Sequence, residues 1–161
     1  MKILIADDER EIRFLFKAFL SHEFPNSKID EAANGAEAVD AFRAGNYDVM
    51  LMDIVMPVKD GYQACLEIQE ISRQEKLKMP FIIICTGFEI SKKIKEFTAD
   101  QTRYLILKKP VDCEQIVDAV KAVMKSSESS TVMASAKPID FNGPKTGKCL
   151  KNVFRGWSGS K

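Results

Sequence analysis

Short apolar runs that stop abruptly at a polar residue, separated by stretches of helical period, constrain this chain more than any other feature. Ile3-Leu4-Ile5-Ala6 ends at Asp7-Asp8-Glu9, Asp48–Met52 ends at Asp53, Phe81-Ile82-Ile83-Ile84-Cys85 ends at Thr86, and Tyr104–Leu107 leads into Lys108-Lys109-Pro110. A weaker strand is expected over Lys28–Glu31, after Pro25-Asn26. Continuous β-branched runs of this length are expected of strands covered on both faces, and Phe81–Cys85 is the best of them. Ile12, Leu15, Phe16, Phe19 and Leu20 repeat at helical spacing, with Glu11, Arg13 and Lys17 on the opposite side. Asn34-Gly35 opens a second helical segment (Ala36, Val39, Ala41, Phe42) closed by Gly45. A third runs from about Tyr62 through Cys65, Leu66 and Ile68 to the polar stretch Ser72–Lys78. A short one lies near Glu89–Phe97, and a last one starts at the N-cap candidate Asp112 and carries Ile116, Val117, Val120 and Val123. Strands alternating with helices over short connections imply right-handed parallel crossovers. The expected fold is α/β, a doubly wound five-stranded parallel sheet with helices on both faces.

Composition adds a boundary. The 161 residues suffice for one domain and not for two ordinary ones. Residues 1–125 carry 18 Lys and Arg against 21 Asp and Glu, a net of −3, whereas residues 126–161 carry 6 against 2, a net of +4. The expected organisation is a domain over 1–125, a Ser-rich linker over 126–136 and a basic C-terminal tail over 137–161. In the tail Leu150, Val153, Phe154 and Trp157 share one face of a potential short amphipathic helix among Lys148, Lys151 and Arg155. Docking onto a partner and packing back onto the domain are both open for it. Gly143–Cys149 imitates a phosphate loop, but it is one residue short between glycines and has Cys149 where Ser or Thr is needed.

An overall charge of +1 provides no global field toward nucleic acid, and no direct nucleic-acid contact is expected. No apolar run in the body spans a bilayer, and the N-terminus lacks a signal-peptide pattern, so a cytoplasmic location is expected. Cys65, Cys85, Cys113 and Cys149 show no metal spacing and are expected to be reduced thiols. His22, the single histidine, falls at the end of the first helical segment and is expected at the surface.

A parallel sheet of this kind gathers ligands at the carboxyl ends of its strands. That edge would bring together Asp7-Asp8, Asp53, Thr86 and Lys109. Crowded carboxylates repel unless a cation joins them, and Mg²⁺ suits hard oxygen ligands while leaving positions for water or phosphate. A lysine and a hydroxyl beside it can hold phosphoryl oxygens, and a free carboxylate can attack phosphorus. Together these describe an acyl-phosphate site. Taken singly, each feature has an ordinary explanation: a helix cap for Asp7-Asp8, a turn carboxylate for Asp53, β-propensity for Thr86, a solvated charge run for Lys108-Lys109.

In register, however, they resemble the receiver domains of two-component response regulators, of the single-domain, chemotaxis-regulator-like type. Asp7-Asp8-Glu9 is similar to the family's acidic pair, and Met52-Asp53-Ile54-Val55-Met56-Pro57 with Asp60-Gly61 to its phosphoacceptor loop. Thr86-Gly87 is similar to its hydroxyl and small neighbour, Lys109-Pro110 to its Lys-Pro, and Asn34-Gly35 with Ala38 to its Asn-Gly signature. The likeness covers residues 1–125. It implies a flavodoxin-like receiver fold, with Asp53 as phosphoacceptor for the phosphohistidine of a histidine kinase or phosphotransfer protein. It further implies Mg²⁺ on Asp8, Asp53 and the Val55 carbonyl, Asp7 acting largely through water, and Lys109 and Thr86 on the phosphoryl oxygens. The implied output is a switched contact with a further protein, through the tail in one version, and the chain is expected to be a switch and no enzyme.

Two departures from the pattern stand out. Many receivers carry Tyr or Phe three residues before the key lysine, a ring that swings inward when the threonine moves; here Ile106 stands there. Tyr104, two residues earlier, shares its strand face, so either Tyr104 does a modified version of that job or the signal leaves differently. Val55 and Phe88 replace flanking polar groups that help orient the hydrolytic water, which predicts slow loss of the phosphoryl group. A phosphorylation-independent adaptor is the alternative class. A phosphohydrolase would need an Asp-x-Asp spacing that neither Asp7-Asp8 nor Asp53-Ile54-Val55 has.

Overall fold

A computed structural model describes residues 1–87, 92–98 and 103–128. Strands and helices alternate as β1 (Lys2–Ala6), α1 (Arg10–Glu23), β2 (Lys28–Ala32), α2 (Gly35–Ala44), β3 (Val49–Asp53), α3 (Gly61–Gln74), β4 (Phe81–Thr86), α4 (Lys92–Phe97), β5 (Tyr104–Lys108) and α5 (Cys113–Glu128). The five strands form a parallel sheet in the order β2-β1-β3-β4-β5. The chain winds outward one way from β1 to β2, then crosses back to β3, so the strand order reverses at β1/β3. That reversal opens a crevice at the carboxyl ends of these two strands.

Strand parity sorts the core into two layers. Ile3, Ile5, Val49, Leu51, Ile83 and Cys85 pack with Phe16, Phe19 and Leu20 of α1 and Ile116, Val117 and Val120 of α5. Leu4, Met50, Met52, Ile82 and Ile84 pack with Val39 and Phe42 of α2, Cys65, Ile68 and Ile71 of α3, and Ile94 of α4. Both faces of the central strands are therefore dry, which is why they read as unbroken apolar runs. Cys65, Cys85 and Cys113 are buried free thiols, and burial pushes the first two up to about 12.

Several boundaries differ from the sequence expectation. The second strand extends to Ala32. The third helix begins at Gly61, because Asp60 caps it by accepting from the Gln63 amide at 2.7 Å, and it runs to Gln74, into the polar stretch. The last helix continues to Glu128, three residues into the stretch expected as linker. Leu15 and Leu66, expected on buried faces, are 40 % exposed; each sits at the margin of its apolar stripe. Asp112 does cap α5, accepting from Gln115 N at 2.7 Å while Gln115 Oε1 accepts from Asp112 N at 3.0 Å. The His22 side chain is 82 % exposed at the end of α1, as expected. Phe88, the start expected for the fourth helix at 89–91, Cys149 and the whole tail lie outside the described residues. No helix among the described residues is long and apolar enough to cross a membrane.

Candidate functional site

Strand parity also aims the side chains at the carboxyl edge. Asp7 continues the Ile3, Ile5 series of β1, Asp53 the Val49, Leu51 series of β3, and Lys109 the Leu105, Leu107 series of β5. All three belong to the α1/α5 side of the sheet. Lys108 has the opposite parity and is exposed, so the pleat itself separates the two adjacent lysines. Lys109 Nζ donates to Asp53 Oδ2 at 2.7 Å and to Asp7 Oδ2 at 2.9 Å. Burial alone would lower the Lys109 pKa, but these two carboxylate hydrogen bonds outweigh it and hold it above its ordinary value. Asp7 is 2 % exposed. Burial holds its pKa above the usual 3.8 in spite of the bonds from Lys109 and from the Glu9 amide to Oδ1 at 2.9 Å.

Asp7, Asp8 and Asp53 offer carboxylate oxygens that all lie within 4.8 Å of one another. Asp8 is the exposed member and Asp53 is 6 % exposed. Lys109 bridges two of these three acids, which leaves negative charge for a cation to meet, and the donor set is hard oxygen throughout. Such a set fits Mg²⁺ better than a soft transition metal. Both Asp7 oxygens already accept bonds, from Lys109 and from the Glu9 amide. Val55 donates its N–H to Asp53 Oδ1 at 3.3 Å, and the residue is 52 % exposed.

Thr86, the last residue of β4, is buried at the same edge. Its carbonyl accepts from Lys109 N at 2.7 Å, and the Lys109–Pro110 peptide is cis. Ile106 and Tyr104 are both half-buried against the α2–α4 layer. Tyr104 pairs with Ile82, four residues back along β4 from Thr86 and so about 13 Å away along the strand. Its ring packs against Phe97 at 4.8 Å between centroids, and Phe97 meets Tyr62 at 5.5 Å. Tyr62 in turn lines a cleft of about 380 Å³ with Ile54, Val55, Met56 and Ile94.

Two glycines support the loop after Asp53 by close approach. A Cβ on Gly61 would come within 1.9 Å of the Asp53 carbonyl oxygen, and one on Gly35 within 2.5 Å of the Lys59 carbonyl oxygen. The Gly35 amide donates to that same Lys59 oxygen at 2.9 Å, and the Gly61 amide to Ile54 O at 2.9 Å. The sequence marks both as breakers, but which backbone each must admit depends on the packing of α2 against the β3–α3 loop.

The sequence of residues 3–121 matches the model of the response regulator receiver domain. The chain belongs to that family. The receiver is 34% identical over 137 residues to the transcriptional regulatory protein ResD of Bacillus subtilis, covering 85% of this chain and 53% of that protein. It is 32% identical over 134 residues to the transcriptional regulatory protein SrrA of Staphylococcus aureus, covering 83% and 52%. The chain thus spans about half the length of the curated relatives it matches. Among solved structures the receiver is similar to the response regulator TrrA of Thermotoga maritima in complex with Mg²⁺ and a beryllium fluoride. That match has 31% identity, a TM-score of 0.56, and covers 76% of this chain and 97% of that one. The receiver domain of Francisella response regulator 1452 matches with 25% identity, a TM-score of 0.63, and 78% and 98% coverage.

Proposed function

We propose that this receiver is a phosphorylation switch whose acceptor is Asp53, charged by a histidine kinase or phosphotransfer protein. The observation that carries the reading is the placement of three carboxylates within reach of one cation, with Lys109 bridging Asp7 and Asp53. Asp8, Asp53 and the Val55 carbonyl would hold Mg²⁺, with Asp7 acting through water. When bound, the ion supplies charge neutralisation for the incoming phosphoryl oxygens. Asp53 attacks phosphorus with one carboxylate oxygen. The bond from the donor imidazole nitrogen to phosphorus breaks as the new phosphorus–oxygen bond forms, and the nitrogen keeps the electron pair. Lys109, 2.7 Å from Asp53 Oδ2, stabilises the charge that develops on the phosphoryl oxygens, and the Thr86 hydroxyl binds one of them. The output is a changed protein contact from a cytoplasmic domain over 1–125. The linker 126–136 and tail 137–161 provide one route to that contact.

Exposed, apolar Val55 at the rim supports slow autodephosphorylation. A half-life of seconds at neutral pH without phosphatase contradicts it. Incubation with Mg²⁺ and acetyl phosphate, followed by intact mass, tests the main reading. One phosphoryl group is gained by the wild type, and none without Mg²⁺ or in Asp53→Asn. No uptake together with no fluoroberyllate binding turns the assignment toward the adaptor reading. That second reading is favoured by one observation, Ile106 in place of the switch aromatic with Tyr104 committed to Phe97.

A further inference from the structure

We infer that Arg13 is the positioning residue of the acidic pair, setting the β1–α1 turn so that Asp7 and Asp8 present their carboxylates to one cation. The inference rests on the reading of Asp7, Asp8 and Asp53 as a metal site. Arg13 lies one turn into α1, at the margin of the helix's apolar stripe beside Phe16 and Leu20, and its side chain is only 14% exposed. Its Nη1 donates to the Asp7 carbonyl at 2.8 Å and to the Asp8 carbonyl at 3.2 Å. One guanidinium nitrogen with two N–H groups therefore fixes two successive peptide planes. Both carbonyls turn toward α1. The Asp7 carboxylate instead meets Lys109, and that of Asp8 comes within 4.8 Å of those of Asp7 and Asp53. The other end of the same turn is held by Asp7 N donating to Ala32 O at 3.2 Å.

Charge alone does not account for the arrangement. Arg13 Nε faces Glu31 Oε2 at 3.6 Å, longer than a hydrogen bond, and Glu31 takes its short contact, 2.6 Å, from Lys17. Glu31 offsets the guanidinium charge, so what Arg13 delivers to the site is orientation of the backbone. An arginine suits this because its planar fork is preorganised, whereas a lysine offers a flexible point charge.

The test is calorimetric titration of the full chain with Mg²⁺, run beside thermal melting of the metal-free protein. Groups that orient metal ligands typically set affinity by about tenfold or more. Arg13→Met, which keeps an apolar stem, weakens Mg²⁺ about tenfold; Arg13→Lys weakens it about fourfold; Glu31→Gln stays within about twofold. Should Arg13→Met fail to fold, Arg13→Lys decides. Mg²⁺ affinity within twofold of wild type in a folded Arg13 variant overturns the inference. So does a loss in Glu31→Gln equal to that in Arg13→Met, since the ion pair would then be responsible. A wild type that binds no Mg²⁺ removes the metal-site reading itself, a result distinct from either.

Discussion

The two ends of the sheet handle acidic residues in opposite ways. At the amino-terminal edge, Asp48 accepts from Lys78 Nζ at 2.8 Å and from Lys2 N at 2.9 Å. Nearby, Asp30 accepts from Tyr47 at 2.8 Å and has Lys2 at 3.4 Å and Lys28 at 3.9 Å. Each acid has at least one cation of its own. The Lys78 hydrogen bond holds Asp48 below its ordinary pKa, and for Asp30 the bonds from Tyr47 and Lys2 overcome the opposing effect of burial. At the carboxyl-terminal edge Lys109 serves two of three clustered acids, Asp7 and Asp53, and burial lifts Asp7 above its ordinary value. The first arrangement is complete as it stands and serves stability. The second stores unmet negative charge, which costs stability and creates affinity for a cation.

The sharpest way to break this contrast is to remove the lysine that the carboxyl-edge acids share. Lys109→Ala should slow phosphoryl uptake from acetyl phosphate by about 100-fold, read as intact mass against time; a change below threefold would deny Lys109 its role. Next comes Gly61→Ala, whose methyl group collides with the Asp53 carbonyl. Urea unfolding should show a loss of about 2–3 kcal/mol, with uptake impaired as the acceptor strand end shifts.

A paired substitution then tests the sign. In EDTA at pH 7, Asp48→Asn should lower stability by about 1 kcal/mol, a half-screened charged hydrogen bond, whereas Asp7→Asn should raise the melting temperature by a few degrees. The pH dependence follows from linkage. Asp48, with a depressed folded pKa, contributes stability that is present above its unfolded value near 3.8 and is lost as pH falls through the folded value. Asp7, with a raised folded pKa, is a burden when ionised, and the burden lifts as pH falls through that raised value. Melting curves from pH 7 to 3 should therefore show the Asp48→Asn deficit closing only below about pH 4, and the Asp7→Asn advantage fading earlier. Equal signs for the two variants would dissolve the comparison.

The smallest effect concerns backbone strain in the loop beside the site. Val58 is 87% exposed and holds φ 66°, a left-handed conformation costly for a β-branched residue. Val58→Gly should stabilise by about 1 kcal/mol, read as a shifted urea midpoint at unchanged slope.

Much of this molecule is legible in the order of its residues. Unbroken β-branched runs disclose strands buried on both faces, and acids or a hydroxyl at their ends disclose which edge gathers the candidate site residues. Proximity to Pro110 singles out Lys109 over Lys108, although parity with Leu105 and Leu107 is the firmer ground. Helix margins are less visible: Leu15 and Leu66 have the right period, yet their exposure depends on how far each neighbouring element reaches. Tyr104 shares a strand face with Ile106 as expected, but only the strand register sets it opposite Ile82 and only the packing of α4 puts its ring against Phe97.

By itself, then, the order of residues determined the parallel α/β sheet and the set of groups at its carboxyl edge, because hydrophobic period and strand termination are local properties of a chain. Tertiary structure alone decided that one lysine would serve two of three acids, that Gly35 and Gly61 must admit passing backbone, and that Arg13 would reach back to two carbonyls. Those outcomes depend on distances between segments remote in sequence, 102 residues apart for Lys109 and Asp7, and no local pattern encodes such distances.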